Sequence, residues 1–410
     1  MNEPTTSTHP RTLPFDRPGL WQPPPQYAEL RADAPVAPVI TPDGQRAWLV
    51  TSYDAVATVL SDPRFGMAPP GSGPTGEHTL FQDGEAHARL RRLVSRSFAP
   101  KNIAALRPGI EKLATRLVDG LTAAGPPADL VAELAAPLPL RVISDLLGVE
   151  PDDRERFAAL ADAAGSADFS AADQDEGLEA AARAWHELTG YAASLVAARR
   201  RRPGDDLLSG LISVRDTDDG RLSDAELIAM VATLVAAGYV STRNAIAVGV
   251  IQLIGEDHLG VLCRDPSRTE AVVEEVLRRQ AGLTAEPFPR WAQQDVALAG
   301  TSVRAGDLLL VRLEAAHRDP GPFPQPDRFV PDRFMPDRFR SGQQPVAPHL
   351  AFGRGPHHCL GAALARVELA AVFGALARRL PRLRLQVPVE DVVWAGGQTD
   401  TGPTAVPVTW

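Results

Sequence analysis

The sequence predicts a mainly α chain (α+β) carrying a few small β-sheets. Three observations support this. Apolar residues recur at helical spacing through most of the chain after His87, strand-like runs are short, and no Pro/Gly/Ser linker divides the helical body. Residues 1–25, with Pro23 to Pro25, read as an irregular lead-in, and 26–410 as one large domain. A strand pattern at Arg46–Val50 precedes a helical stretch, Tyr53–Leu60, that Pro63 ends, and 68–76 form a Gly/Pro loop. Helical periodicity then marks 87–98, 101–123, 127–147, 151–165, 172–202, 205–214, 223–255 and 266–281. Short strand patterns follow at Val296–Leu298, Leu308–Val311, Leu383–Val387 and Ala405–Thr409. The tetrapeptide PDRF recurs at 326–329, 331–334 and 336–339. A solenoid unit needs about 20 residues, so proline at every fifth position gives a turn-rich meander instead.

Composition excludes several function classes. The 410 residues include 51 acidic and 42 basic side chains, and the net charge of −9 argues against nucleic acid or an anionic membrane as the main partner. Among the basic residues only Lys101 and Lys112 are lysine. The N-terminus lacks the charged-then-apolar pattern of a signal peptide. The longest nearly apolar run, Leu227–Val240, is shorter than the roughly 20 residues a membrane span requires, and reads as a buried helix. Two distant cysteines, Cys263 and Cys359, allow neither a disulfide framework nor a multi-cysteine zinc module. A soluble, reduced, cytoplasmic protein is expected.

The segment 348–369, PHLAFGRGPHHCLGAALARVEL, is the most informative. Gly353 and Gly355 precede Cys359, Gly361 follows it, and an Ala/Leu-rich helix pattern then runs to about Arg379. At such a loop-to-helix junction, free backbone N–H groups and the helix dipole stabilise a thiolate. Four readings compete for the cysteine: a structural thiol, a zinc ligand, a nucleophile and a haem-thiolate ligand. Adjacent His357, His358 and Cys359 converge poorly on one zinc ion, and a nucleophile would need a general base that nothing nearby supplies. The spacing F-G-x-G-x-H-x-C-x-G, met by Phe352, Gly353, Gly355, His357, Cys359 and Gly361, resembles the cysteine-ligand loop of the cytochrome P-450 superfamily.

That resemblance, which covers about Leu13 to Trp410, implies further parts, and these follow in family order. Glu275 and Arg278 resemble the E-x-x-R pair on one helix face. Arg328 stands in the P-x-R-F position of a Glu–Arg–Arg structural network, with Arg333 as the alternative register. His87, Arg91, Arg290 and His357 resemble the cations that hold the haem propionates. Ala237 and Gly238 match the start of the oxygen-binding element A-G-x-(Asp/Glu)-Thr. Val240 takes the acid position there, and Ser241 the alcohol position. Valine cannot relay a proton, so three explanations stay open: Thr242 as the alcohol, delivery by substrate hydroxyls or water, or oxidative C–C or C–N coupling without oxygen insertion.

The resemblance implies haem b with an axial Cys359 thiolate whose electron donation favours O–O cleavage. It implies O2-dependent hydroxylation or epoxidation of a small molecule, in bacterial actinomycete-type secondary metabolism. A haem sensor or carrier is the non-enzyme alternative. Leu234, Val240 and Phe288 would line the substrate pocket. Electrons would come from NAD(P)H through a separate ferredoxin reductase and ferredoxin, the latter docking on Arg89, Arg92, Arg96 and Arg354. The chain is expected to act as a monomer.

Overall fold

The computed structural model describes residues 10–72, 78–165, 174–214, 220–336, 346–395 and 401–410. The third PDRF, part of the 68–76 loop and residues 172–173 of the expected helix therefore lie outside the described residues.

Helices and strands follow from residue pattern. In chain order, β1 (Arg11–Thr12) and α1 (Pro25–Asp33) lead into the hairpin β2 (Val36–Ile40) and β3 (Arg46–Val50), then α2 (Tyr53–Ser61) and β4 (Phe65–Gly66). Segment 10–25, expected to be irregular, thus holds a short strand and an isolated Gly19–Gln22 bridge. Next come α3 (Gly84–Ser95), α4 (Pro100–Ala124), β5 (Ala128–Asp129), α5 (Pro137–Leu147), α6 (Arg154–Gly165), α7 (Gln174–Arg201) and α8 (Leu207–Ser213). The long α9 (Asp224–Gly255), α10 (His258–Arg264) and α11 (Thr269–Gln280) follow. Strands β6 (Arg290–Ala292), β7 (Val296–Leu298), β8 (Thr301–Val303) and β9 (Leu308–Val311) precede α12 (Leu313–His317), α13 (Ala362–Arg379), β10 (Arg384–Leu385) and β11 (Pro407–Thr409). The helix expected over 127–147 is broken. Residues 131–135 form a π turn, and the α-helix restarts at Pro137, whose missing N–H suits a first helical position.

Two compact units result, Met1–Thr75 with Leu277–Cys359, and Gly76–Val276 with Leu360–Trp410. In the first, a six-stranded sheet runs β1-β2-β3-β9-β6-β4, with β3 and β9 parallel. Its inward side chains, among them Val50, Leu309 and Val311, pack with Val56 and Leu60 of α2. The second unit is helical, with the small sheet β10-β11-β5.

At the heart of the second unit lies α9. Ser223 caps it, accepting the Glu226 amide at 3.2 Å while Glu226 accepts the Ser223 amide at 2.7 Å. Among the described residues it is the one helix long and apolar enough to cross a membrane, and half of its most apolar window is buried inside the protein. Gly249 is the contact point with α13. A Cβ there would lie 2.6 Å from Phe373 Cζ and 3.0 Å from Val276 Cγ1. Both neighbours are wholly buried and have nowhere to move. Gly249→Ala is therefore expected to destabilise the protein by about 1–3 kcal/mol in denaturant unfolding, despite alanine's better helix propensity. An unchanged or raised midpoint would show that the Phe373 ring can give way.

Candidate active site

The Cys359 loop is built by backbone bonds within the first unit. Tyr53 on α2 donates its hydroxyl to the Pro348 carbonyl at 2.7 Å, fixing the entry. The Gly353 amide donates to the Leu350 carbonyl at 2.8 Å, and the Cys359 amide to the Phe352 carbonyl at 2.8 Å, so the chain doubles back on itself. Gly353 and Gly355 have φ of +69° and +74°, a region that costs little only for glycine. Gly355 is doubly constrained, because a Cβ would lie 2.6 Å from Ser61 Cα and 2.7 Å from the Leu60 carbonyl. The result is an exposed Cys359 thiol, with half-buried His357 and Phe352 nearby in sequence and Gly361 as N-cap of α13. The second cysteine, Cys263, is exposed on α10. Among the described residues no cluster of three His, Cys, Asp or Glu side chains could hold a metal ion, so the zinc alternative has no ligand set.

Behind the loop, Glu275 and Arg278 of α11 are both 0% exposed. Arg278 donates from Nη1 to the His317 carbonyl at 2.7 Å and from Nη2 to the Arg328 carbonyl at 3.4 Å, with its guanidinium 5.4 Å from the Phe323 ring centre. The register expected for the third network residue is corrected here. The Arg328 side chain is exposed and donates to Gln325 Oε1 at 3.1 Å, whereas Arg333 is 2% exposed and donates to the Pro324 carbonyl at 2.9 Å. The 3₁₀ turn Pro331–Phe334 carries the second PDRF inward, so Arg333 takes the buried position.

Arg290 is buried at the start of β6 and donates to the Phe288 carbonyl at 2.7 Å, leaving the Phe288 ring 50% exposed. That segment is anchored by half-buried Glu286, which accepts the Leu313 amide at 2.8 Å and so caps α12. Burial pushes the Glu286 carboxyl up to about 7, against the pull of Arg312.

The second unit presents other parts. His87 (buried) and Arg91 (half-buried) lie one turn apart on α3. On α9, Ala237 is exposed although Val235, Tyr239 and Val240 are buried, and Leu234 and Gly238 are half-buried. A Cβ at Gly238 would meet only Ile143, at an ordinary 3.7 Å, so packing within the protein does not demand glycine in this helix interior. Ser241 donates its hydroxyl to the Ala237 carbonyl at 2.5 Å, and Thr242 is buried.

Val240 is not a pocket residue. It is 0% exposed and packs in the apolar cluster with Leu90, Ile143 and Leu227. The motif's acid position in this chain belongs to the core. The charged residue nearest in sequence is Arg243, which pairs with Asp162 of α6 at 2.9 Å and lies 5.7 Å from the Tyr239 ring.

The segment around Gly402 seats on α9, where a Cβ on Gly402 would overlap the Asn244 amide. Of the arginines expected to form a basic docking face, Arg89 pairs with Glu226 at 2.6 Å and Arg92 with Glu85 at 2.9 Å. Those carboxylates offset part of the charge.

Two acidic groups were not visible as site residues in the sequence. Arg366 of α13 grips Glu274 of α11 through two bonds, 2.6 and 2.9 Å, tying the helix after Cys359 to the helix of the E-x-x-R pair. Glu368, 2% exposed on α13, has Oε2 without a hydrogen-bond partner.

Comparison with known proteins places this geometry. The family model described as cytochrome P450 matches residues 268–393. The chain is similar to the mycinamicin IV hydroxylase/epoxidase of Micromonospora griseorubida, 39% identical over 99% of this chain and 100% of that protein. It is also similar to the nocardicin C N-oxygenase of Nocardia uniformis subsp. tsuyamanensis, 38% identical over 99% and 100%. A solved structure of the LnmA cytochrome P450 hydroxylase of the leinamycin pathway of Streptomyces atroolivaceus superposes with a TM-score of 0.85, at 38% identity, covering 98% of this chain and 100% of that one.

The chain belongs to the cytochrome P450 family. It is accordingly a haem-thiolate oxidoreductase that activates O2 to oxidise a small molecule, with electrons delivered by redox partners. The residues present suit that group. The thiol is exposed on a rigid loop, and Gly238 has no packing reason to be glycine.

Burial alone raises the Glu368 carboxyl to about 8, so the folded state binds its proton more tightly than the unfolded chain does. Stability is then lost as pH rises from the unfolded value of about 4.3 toward 8, by several kcal/mol at about 1.4 kcal/mol per unit. Glu368→Gln is expected to flatten unfolding free energy against pH over that range and to gain most at alkaline pH. Parallel pH profiles for the two proteins would contradict this.

Proposed function

We propose that Cys359 is the axial thiolate of haem b and that the enzyme hydroxylates or epoxidises an actinomycete-type secondary metabolite in the cytoplasm. The observation that carries the assignment is the Cys359 loop: two left-handed glycines and the Cys359-to-Phe352 backbone bond hold one thiol exposed and fixed. The names of the relatives, which oxidise mycinamicin IV and nocardicin C, support the substrate class. Burial of α9 within its own unit supports the cytoplasmic placement.

Bound haem supplies the iron at which O2 is activated for transfer to the substrate. The protein's part is to hold and shape. Arg290, His357, His87 and Arg91 would hold the propionates by charge-assisted bonds. Ala237 and Gly238, small residues of α9, would leave room for O2 and substrate to approach. The hydroxyls of Ser241 and Thr242 would move protons there; Ser241 must first rotate away from the Ala237 carbonyl. Phe288, half exposed, would meet the substrate. A ferredoxin and its reductase, drawing on NAD(P)H, would deliver the electrons.

A second reading, oxidative coupling without oxygen insertion, is favoured by one feature: the acid position is a buried valine that cannot carry a proton.

The test of the assignment is the spectrum of the reduced, CO-bound holoprotein. Wild type is expected to show the red-shifted Soret band of thiolate ligation, Cys359→Ala to lose it, and Cys263→Ala to keep it. A band that survives Cys359→Ala would refute the ligand assignment.

A further inference from the structure

We infer that His317, which no motif singled out, is a positioning residue for the Cys359 loop, joining it to the Arg278 helix as a neutral imidazole with its proton on Nδ1. The inference rests on Cys359 being the thiolate ligand.

His317 closes α12 and is 0% exposed. Its Nδ1 lies 2.8 Å from the Arg278 carbonyl oxygen, which can only accept, so Nδ1 carries the hydrogen. The Leu350 amide donates to its Nε2 at 2.7 Å, so Nε2 must present a lone pair. Two backbone partners therefore select one tautomer, and an imidazolium would set N–H against N–H at Leu350. Arg278 returns a bond from Nη1 to the His317 carbonyl at 2.7 Å, making the joint reciprocal.

Beyond Leu350 the connection continues through the loop backbone to the Cys359 amide. The Gly353 amide donates to Leu350, and the Cys359 amide to Phe352. A ring pathway runs beside it: His317 to His349 at 6.1 Å, then His349 to Phe352 at 6.0 Å between ring centres.

The surroundings keep the ring neutral. Burial holds the His317 imidazole well below the usual histidine range. The titratable and charged groups facing it are His349 from the loop, Arg278 from α11 and neighbouring Arg318, and each opposes a further positive charge. The sign follows: the closed loop needs the neutral ring, so it loses stability as pH falls below the unfolded histidine value of about 6.5, because an opened loop then takes up the proton that the closed one refuses. An outer residue that fixes a ligand in this way can matter nearly as much as the ligand, its loss costing about 10–100-fold in affinity or activity.

The experiment uses holoenzyme as wild type, His317→Gln and His317→Leu, reduced and saturated with CO between about pH 5 and 8. The ratio of red-shifted to unshifted Soret band is read alongside near-UV circular dichroism. In wild type the ratio should collapse on acidification. His317→Gln, whose side-chain oxygen can still accept from Leu350, should keep most of the band at neutral pH and lose the acid transition. His317→Leu should lower the ratio about 10-fold at neutral pH. Folded, haem-loaded variants with the wild-type ratio and acid midpoint would overturn the inference. If the leucine variant does not fold, the glutamine pH profile decides alone. Cys359→Ala in the same series separates the two failures. A band that survives it refutes the ligand assignment, whereas a band lost there but unchanged in both His317 variants refutes only the role of His317.

Discussion

The hydrogen bond from the Cys359 amide to the Phe352 carbonyl is the constraint on which the site depends. It closes the loop after the side chain of Leu350 has seated in the core. Closing it requires Gly353 and Gly355 in left-handed conformations, and requires Gly355 to pass against the end of α2 with no Cβ. A thiolate that is to serve as a fixed ligand needs such a rigid support, because each rotatable bond left free would lower its effective concentration at the metal.

The support for that loop is unusual in being polar. Arg278 and Arg333 are buried guanidiniums that donate to the backbone carbonyls of His317 and Arg328, and of Pro324 and Gln325. Buried charge is costly unless its donors are met, so each such arginine pins several segments at once. The segment that carries PDRF is therefore held both by buried Phe323 and Phe329 and by the arginines that cross-link it. A second anchor, Glu286 at the N-terminus of α12, does the same for the segment bearing Phe288.

Much of this was legible in the sequence, and the reasons differ by element. Helix α9 is legible to within a residue because helical periodicity runs through 223–255 around the nearly apolar stretch Leu227–Val240. Strands β3, β7 and β9 were placed outright, as short apolar runs bounded by turns. Strand β2 was missed because Pro38 sits in its middle, an argument against a strand that tertiary pairing overrides. The five-residue α12 is too short to show a period, which also hid His317 and Glu286. The motif fixed Cys359, but spacing could not choose between Arg328 and Arg333, since the PDRF repeat offers both and only the inward turn at Pro331 selects one. Val240 was misplaced for a related reason: a motif gives order along the helix, not the direction in which a side chain points.

The central claim is that Cys359, and no other group of this chain, supplies the sulfur bound to iron. X-ray absorption at the iron edge of the resting holoprotein reads that bond directly. The account predicts one sulfur neighbour in wild type and in Cys263→Ser, and none in Cys359→Ser. A sulfur neighbour that persists in Cys359→Ser, or that disappears in Cys263→Ser, would contradict it.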